Sequence, residues 1–229
     1  MTSHTDKAFE KDLERVRTSL LKMGALVQDL IEQSVRALSE RDATLCSAVL
    51  KGDQEVNRLE VDIDEQCRRI LALRQPAASD LRLITTALKI VTDLERCGDL
   101  AVNIAERAKD LAEAPPMNSY QDLTRLAQLA QLQLQLSLAA FVAADTVKAK
   151  EVLKGDEMLD ALFLKIFNEL LALMMEDSKY IRRATGMMFV GKSLERIGDH
   201  AMNIAEMVVY MVKGQDIRHP RSRALPDEG

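Results

Sequence analysis

The chain is expected to fold as an all-α protein of six long helices, arranged as two pseudo-symmetric three-helix bundles. Three observations predict this. First, composition: of 229 residues, 47% are apolar but only 3% aromatic, with no Trp and 5 Pro. The abundance of Ala, Leu, Glu, Arg and Met is what long helices use, whereas a sheet protein would hold more aromatic and β-branched residues. Second, the apolar residues recur at spacings of three and four. Third, the chain repeats itself. Residues 93–108 read DLERCGDLAVNIAERA and residues 193–208 read SLERIGDHAMNIAEMV, identical at ten of sixteen aligned positions.

From Phe9 to about Glu40, Leu13, Val16, Leu20, Met23, Val27, Leu30, Ile31 and Val35 mark one face of a helix. A second helix is expected from Ala43 to Leu73, disturbed near Gly52 and ended by Gln75-Pro76, because the residue before proline avoids the helical region. Ser79 is placed as the cap of a third helix that carries the first motif to Ala112. Pro115-Pro116 breaks the chain. The second half repeats the plan, with helices over Tyr120–Lys150, Asp156–Met175 and Ser178–Lys213. The units so defined are residues 8–114, residues 117–214 and a polar, proline-bearing tail over 215–229 expected to be flexible. Short links make neighbours within each half antiparallel.

Bulk properties exclude several functions. A formal net charge of −5 offers no basic field for nucleic acid. No apolar run is expected to reach the length of a membrane span, and the polar start MTSHTDKAFEKDLERV has no apolar signal segment, which points to the cytoplasm. Cys46, Cys67 and Cys97 form no CxxC pair and read as buried thiols. Ile197 stands where the first motif has Cys97, which marks a packing position.

The repeated positions are mostly polar, and a solvated helix face has no reason to keep Glu, Arg, Gly, Asp and Asn in register across two copies. With Glu95 at zero and about 100° per residue, Asp99 falls near 40°, Asn103 near 80° and Glu106 near 20°. Glu195, Asp199, Asn203 and Glu206 repeat that stripe, and Arg96 and Arg196 flank it. Gly98 and Gly198 fall on the apolar arc, which suits a close helix–helix approach. His200 lies about 100° from Asp199 and reads as a surface residue. Carboxylates at i and i+4 stand about 5–6 Å apart and repel unless solvated or bridged by a cation. Hard cations want such clustered oxygens. Glu60 with Asp64, and Asp156 with Asp160, have the same spacing and are the candidates to complete each site. Aligning Gly52 with Gly155 sets Glu60 opposite Phe163 and Asp64 opposite Phe167, so this second pair is not cleanly repeated.

The paired L-E-R-x-G-D…N-I-A-E text, Arg74-Gln75-Pro76 with Asp80-Leu81-Arg82, Met174-Met175-Glu176-Asp177 and Lys213-Gly214-Gln215-Asp216 together resemble the PhoU family, over most of the chain from Val16 to His219. The resemblance implies two three-helix bundles and a cytoplasmic regulator of phosphate uptake that represses phosphate-starvation signalling. It implies a bridge between the ATPase subunit of a phosphate ABC transporter and a membrane sensor histidine kinase, a homodimer, and metal ions (iron, zinc, manganese or magnesium) held at E/D-x-x-x-D turns, here Glu95/Asp99 and Glu195/Asp199. Two other functions are open to the residues. One is a carboxylate-bridged metalloenzyme, against which Gly98 and Gly198 stand where that class places His, among only three histidines. The other is a metal-free helical docking protein whose acids meet basic patches on a partner. No nucleophile–base pair or phosphate loop points to an enzyme.

Overall fold

The computed structural model describes residues 3–113 and 120–218, with the side chains of residues 3–6 and of Tyr120 outside that description. Within these residues the chain is helical: α1 (Ser3–Glu40), α2 (Ala43–Leu73), α3 (Ala78–Ala112), α4 (Tyr120–Ala143), α5 (Thr146–Glu176), a short 3-10 turn (Ser178–Tyr180) and α6 (Ile181–Lys213). The Pro115-Pro116 break and the part of the expected tail beyond residue 218 lie outside the described residues.

All eight apolar positions of the first helix are buried, from Leu13 to Val35. Burying one such Leu or Ile contributes about 1.5–3 kcal/mol. Helices α1, α2 and α3 pack on one another, as do α4, α5 and α6. The halves then join along two seams, α3 against α6 and α1 against α4. At the first seam Arg82 Nε donates to Met211 O at 3.0 Å, Asp93 faces His200, and Leu111 meets Gly186, so α3 and α6 run antiparallel. At the second seam, Gln131 Nε2 donates to Gln28 O at 3.3 Å. One continuous apolar core runs through both halves.

Several boundaries differ from the sequence reading, each for a local reason. Helix α1 starts at Ser3, not Phe9. Helix α3 starts at Ala78, and Ala77 occupies the cap without a side-chain bond, so Ser79 is not the cap. Helix α4 ends at Ala143 rather than Lys150, and α5 begins at Thr146 rather than Asp156. The break is made by Ala144 at φ 49° and by Asp145, whose side chain accepts from the Val147 and Lys148 N–H groups. Capping of this kind satisfies donors that a helix start leaves open. The first half uses the same device at Arg41, with φ 59°, and Asp42, which accepts from Thr44 N–H. Gly52 and Gly155 are therefore inside continuous helices. After Gly214, which ends α6 at φ 69°, Ile217 returns to the core, contrary to a free tail from 215.

One described helix, residues 121–143 of α4, is long enough and contains an 18-residue stretch apolar enough to cross a membrane, correcting the expectation that no run reaches that length. Half of that stretch is buried against the rest of the protein.

Gly98 and Gly198 let α3 and α6 approach their neighbours closely. A Cβ on Gly98 would meet Asp53 Oδ1 at 2.9 Å and Val56 Cγ1 at 3.3 Å. A Cβ on Gly198 would meet Leu159 Cδ1 at 2.9 Å and Gln133 Oε1 at 3.0 Å. Ala in place of a mid-helix Gly gains about 1 kcal/mol of helix propensity, and overpacking a filled core costs about 1–3 kcal/mol. Asp53 is half-buried and can swing aside, whereas Leu159 is fully buried. Gly98→Ala is therefore expected to leave urea stability nearly unchanged, and Gly198→Ala to lower it by about 1 kcal/mol. Equal midpoints for the two variants would contradict this assignment of space.

Candidate acidic ridges

The first ridge is built from α2 and α3. Glu95 and Asp99, one turn apart on α3, face Asp53 and Glu60 from α2. Burial pushes the Asp53 carboxyl up, and the Asp99 charge adds to it. Glu60 is raised by burial, then by Asp64, with a further contribution from Asp99. Glu95 is raised by burial and by Asp99, with smaller pushes from Glu60 and Asp53. Mutual repulsion of this kind places the four carboxylates in one electrostatic neighbourhood. Arg96 partly compensates it, reaching Asp99 Oδ2 at 3.0 Å and Glu95 Oε2 at 3.4 Å. Asn57 Nδ2 donates to Asp53 Oδ2 at 3.2 Å.

The second ridge comes from α5 and α6. Burial, then Glu195 and Asp156, and more weakly Asp160, push the Asp199 carboxyl up to about 6. Lys192 pulls it down and contacts Glu195 at 2.6 Å. The structure thus brings Asp156 and Asp160 near Glu195 and Asp199.

The remaining predicted residues divide. Asp64 lies beyond Glu60 on α2, beside Cys67 rather than Glu95. Asn103 and Glu106 are exposed. They share an angular position with Glu95 but stand eight and eleven residues away, or about 12 and 16 Å along the axis, too far for one coordination sphere. In the second half the departure is larger. Asn203 Nδ2 donates to Asp93 Oδ1 at 3.4 Å across the α3–α6 seam, and Glu206 is buried with 3% exposure near Arg218. Neither belongs to the ridge. His200, read as a surface residue, has Nδ1 2.9 Å from Asp93 Oδ1 in that seam. The antiparallel partner helix, invisible in one helix's wheel, captures both residues.

Asp53 and Gln133 were missed. Asp53 is the twin of Asp156, and the matching Gly52-Asp53 and Gly155-Asp156 pairs carried that signal. Gln133 sits on α4 against Gly155 and Gly198 and is buried with 6% exposure. Its counterpart one repeat earlier is Leu30, which fills the same space against Gly52, so no polar repeat announced it.

The ridges suit a hard cation by their donors. Their ligating atoms are carboxylate oxygens, and Asp53 Oδ1 is buried and accepts no hydrogen bond among the described residues. Softer ligands are elsewhere: Cys97 is fully buried with its thiol pushed well up, and His200 is engaged with Asp93. Among the described residues, no three His, Cys, Asp or Glu side chains already stand as a ready metal cluster. Holding an ion requires the ridge carboxylates to turn toward one another.

A family model described as "PhoU domain" matches residues 20–108 and again 123–208. A phosphate-specific transport system accessory protein PhoU homolog of Pseudomonas aeruginosa is 43% identical over 220 residues, covering 96% of this chain and 91% of that protein. The crystal structure of PhoU from Pseudomonas aeruginosa superposes with a TM-score of 0.87 at 43% identity, over 90% of this chain and 99% of that one. The crystal structure of the phosphate transport system regulatory protein PhoU from Streptococcus pneumoniae gives 0.86 at 28% identity, over 92% and 100%.

Proposed function

Because the chain belongs to the PhoU family, we propose that it is an accessory protein of a phosphate transport system, not an enzyme, that regulates phosphate uptake and restrains phosphate-starvation signalling. In this reading it is a cytoplasmic adaptor, recruited to the inner membrane face by its partners. Those partners are the ATPase subunit of a phosphate ABC transporter and a sensor histidine kinase, and the adaptor acts as a homodimer. The names of its relatives as accessory and regulatory proteins support the role.

The observation that carries the mechanism is the duplicated ridge, Asp53, Glu95 and Asp99 in one half and Asp156, Glu195 and Asp199 in the other. A bound iron, manganese, magnesium or zinc ion would supply the positive charge that these carboxylates lack. The oxygen-only donors favour the harder ions of that group. The chain's own part is positional. Asp53 and Asp156 belong to the middle helices, and the Glu and Asp pairs to α3 and α6, so relief of their repulsion draws two helices together in each half. Arg96 and Lys192 hold the carboxylates meanwhile.

The test is made in cells. With Glu95, Asp99, Glu195 and Asp199 all replaced by Ala, a phosphate-starvation reporter is expected to be switched on in rich phosphate. Full repression by a folded variant would remove the ridges from the mechanism. In a second reading the acids, already paired with Arg96 and Lys192 within the chain, meet basic side chains of a partner directly. Elemental analysis of protein purified without chelator separates the two, since stoichiometric metal is expected only in the first.

A further inference from the structure

On the core side of the second ridge, α4 inserts Gln133 between α5 and α6. The side chain is buried with 6% exposure. Its Nε2 lies 3.2 Å from the point where a Cβ on Gly155 would stand, and its Oε1 lies 3.0 Å from the corresponding point on Gly198. Those glycines directly precede Asp156 and Asp199. One residue, or about 1.5 Å of rise, separates each glycine from its carboxylate, so the amide bridges α5 and α6 at the level of the ridge. Gln133 Oε1 accepts no hydrogen bond among the described residues. A buried amide oxygen without a donor is costly, because it has given up water and gained no partner.

The internal repeat serves as a control. Leu30 stands one repeat earlier, fully buried, and fills the space against Gly52. Packing at this position therefore asks only for an apolar side chain, and does not explain the amide. In the first half the bare oxygen at the motif glycine comes instead from α2, where Asp53 Oδ1 lies 2.9 Å from the Cβ point of Gly98. At Gly198 the nearest atoms are Gln133 Oε1 and the two methyl carbons of Leu159, and the Asp156 carboxylate is not among them. Each ridge thus has an oxygen lodged at its glycine, anionic in the first half and neutral in the second.

We propose that Gln133 Oε1 is a neutral ligand for a divalent cation at the second ridge. This rests on the metal reading of the ridges given above. Glu195, Asp156 and Asp160 already crowd Asp199, so a further carboxylate would add repulsion. An amide oxygen adds a donor without adding charge, and hard divalent cations accept Gln carbonyl oxygens beside carboxylates. Three helices, α4, α5 and α6, supply ligands in the second half, against α2 and α3 in the first. The two ridges are therefore distinct sites, one bounded by acids alone and one with a neutral floor.

Isothermal titration of the chelator-treated full chain with manganese tests this one ridge at a time. In protein carrying Glu95→Ala and Asp99→Ala only the second ridge remains, and adding Gln133→Leu is expected to weaken manganese binding about tenfold or more. In protein carrying Glu195→Ala and Asp199→Ala only the first ridge remains, and adding Gln133→Leu is expected to leave binding unchanged. Leu is the residue the first half uses in this place, so the packing accepts it. In chelator, Gln133→Leu alone is expected to unfold at the same urea concentration as the parent or a higher one, since a buried amide oxygen without a partner is gone. Unchanged affinity at the second ridge, or equal weakening at both ridges, overturns the role of Gln133 and leaves the metal reading standing. Weakened binding with an earlier urea midpoint overturns it as well, because that marks a packing role. A parent chain that binds no manganese at either ridge overturns the metal reading, and the Gln133 ligand with it.

Discussion

Replacing Leu94 and Leu194 together by Ala is expected to abolish cooperative folding. Both side chains are fully buried, one in each motif-bearing helix. A Leu→Ala change at such a site removes the transfer free energy and leaves a cavity, at about 2–5 kcal/mol each. Because the two residues lie in separate halves, their costs should add. The sum, about 6 kcal/mol, rivals the total stability of a typical domain, about 5–15 kcal/mol. Urea unfolding followed by circular dichroism checks this, with each single variant unfolding early and the double variant lacking a native baseline. Leu94→Met keeps the volume and should cost less than about 1.5 kcal/mol. A double variant as stable as either single one would mean that the halves do not share a cooperative core.

Asp199→Asn is expected to act in the opposite direction and to stabilise the protein at alkaline pH. The folded-state carboxyl is pushed up from 3.8 to about 6 by burial, then by Glu195 and Asp156. Between those values the folded protein holds a proton that the unfolded chain has released. The stability tied to that proton is fully present below about pH 4 and is lost as pH rises through about 6. At pH 8 the ionised group opposes folding by at most about 3 kcal/mol, and solvent screening at this half-buried position reduces that to about 1 kcal/mol. In chelator, the Asn variant should melt about 2–4 °C higher than the parent at pH 8, with the advantage gone near pH 4. A lower melting temperature at pH 8 would show that Asp199 is stabilised as an anion, and would remove the crowded second ridge. Added manganese should narrow the difference, because an ion that binds only the folded parent raises the parent's stability.

The glycine positions show where one-dimensional reading stops. The sequence reading starts the fifth helix at Asp156, just after Gly155, and glycine is costly inside a helix. The helix runs through it because Gln133 from α4 lies against its bare Cα. The true break, ten residues earlier, carried a legible Asp cap, and so did its twin at Asp42.

Apolar spacing and the duplicated motif were sufficient for the number of long helices and their grouping into halves, though not for where α1, α3, α4 and α5 begin or end, because each helix buries one face and that face is written every three or four residues. They also placed Glu95, Asp99, Glu195 and Asp199, since residues one turn apart on one helix keep their relation in any packing. What only tertiary structure decided is which helix faces which. His200 and Asn203 met Asp93, Glu206 went inside, and Asp53 joined the first ridge. The antiparallel register of α3 on α6 sets those pairs, and contacts between residues a hundred positions apart depend on axial distance and on a partner helix that a single helical wheel does not contain.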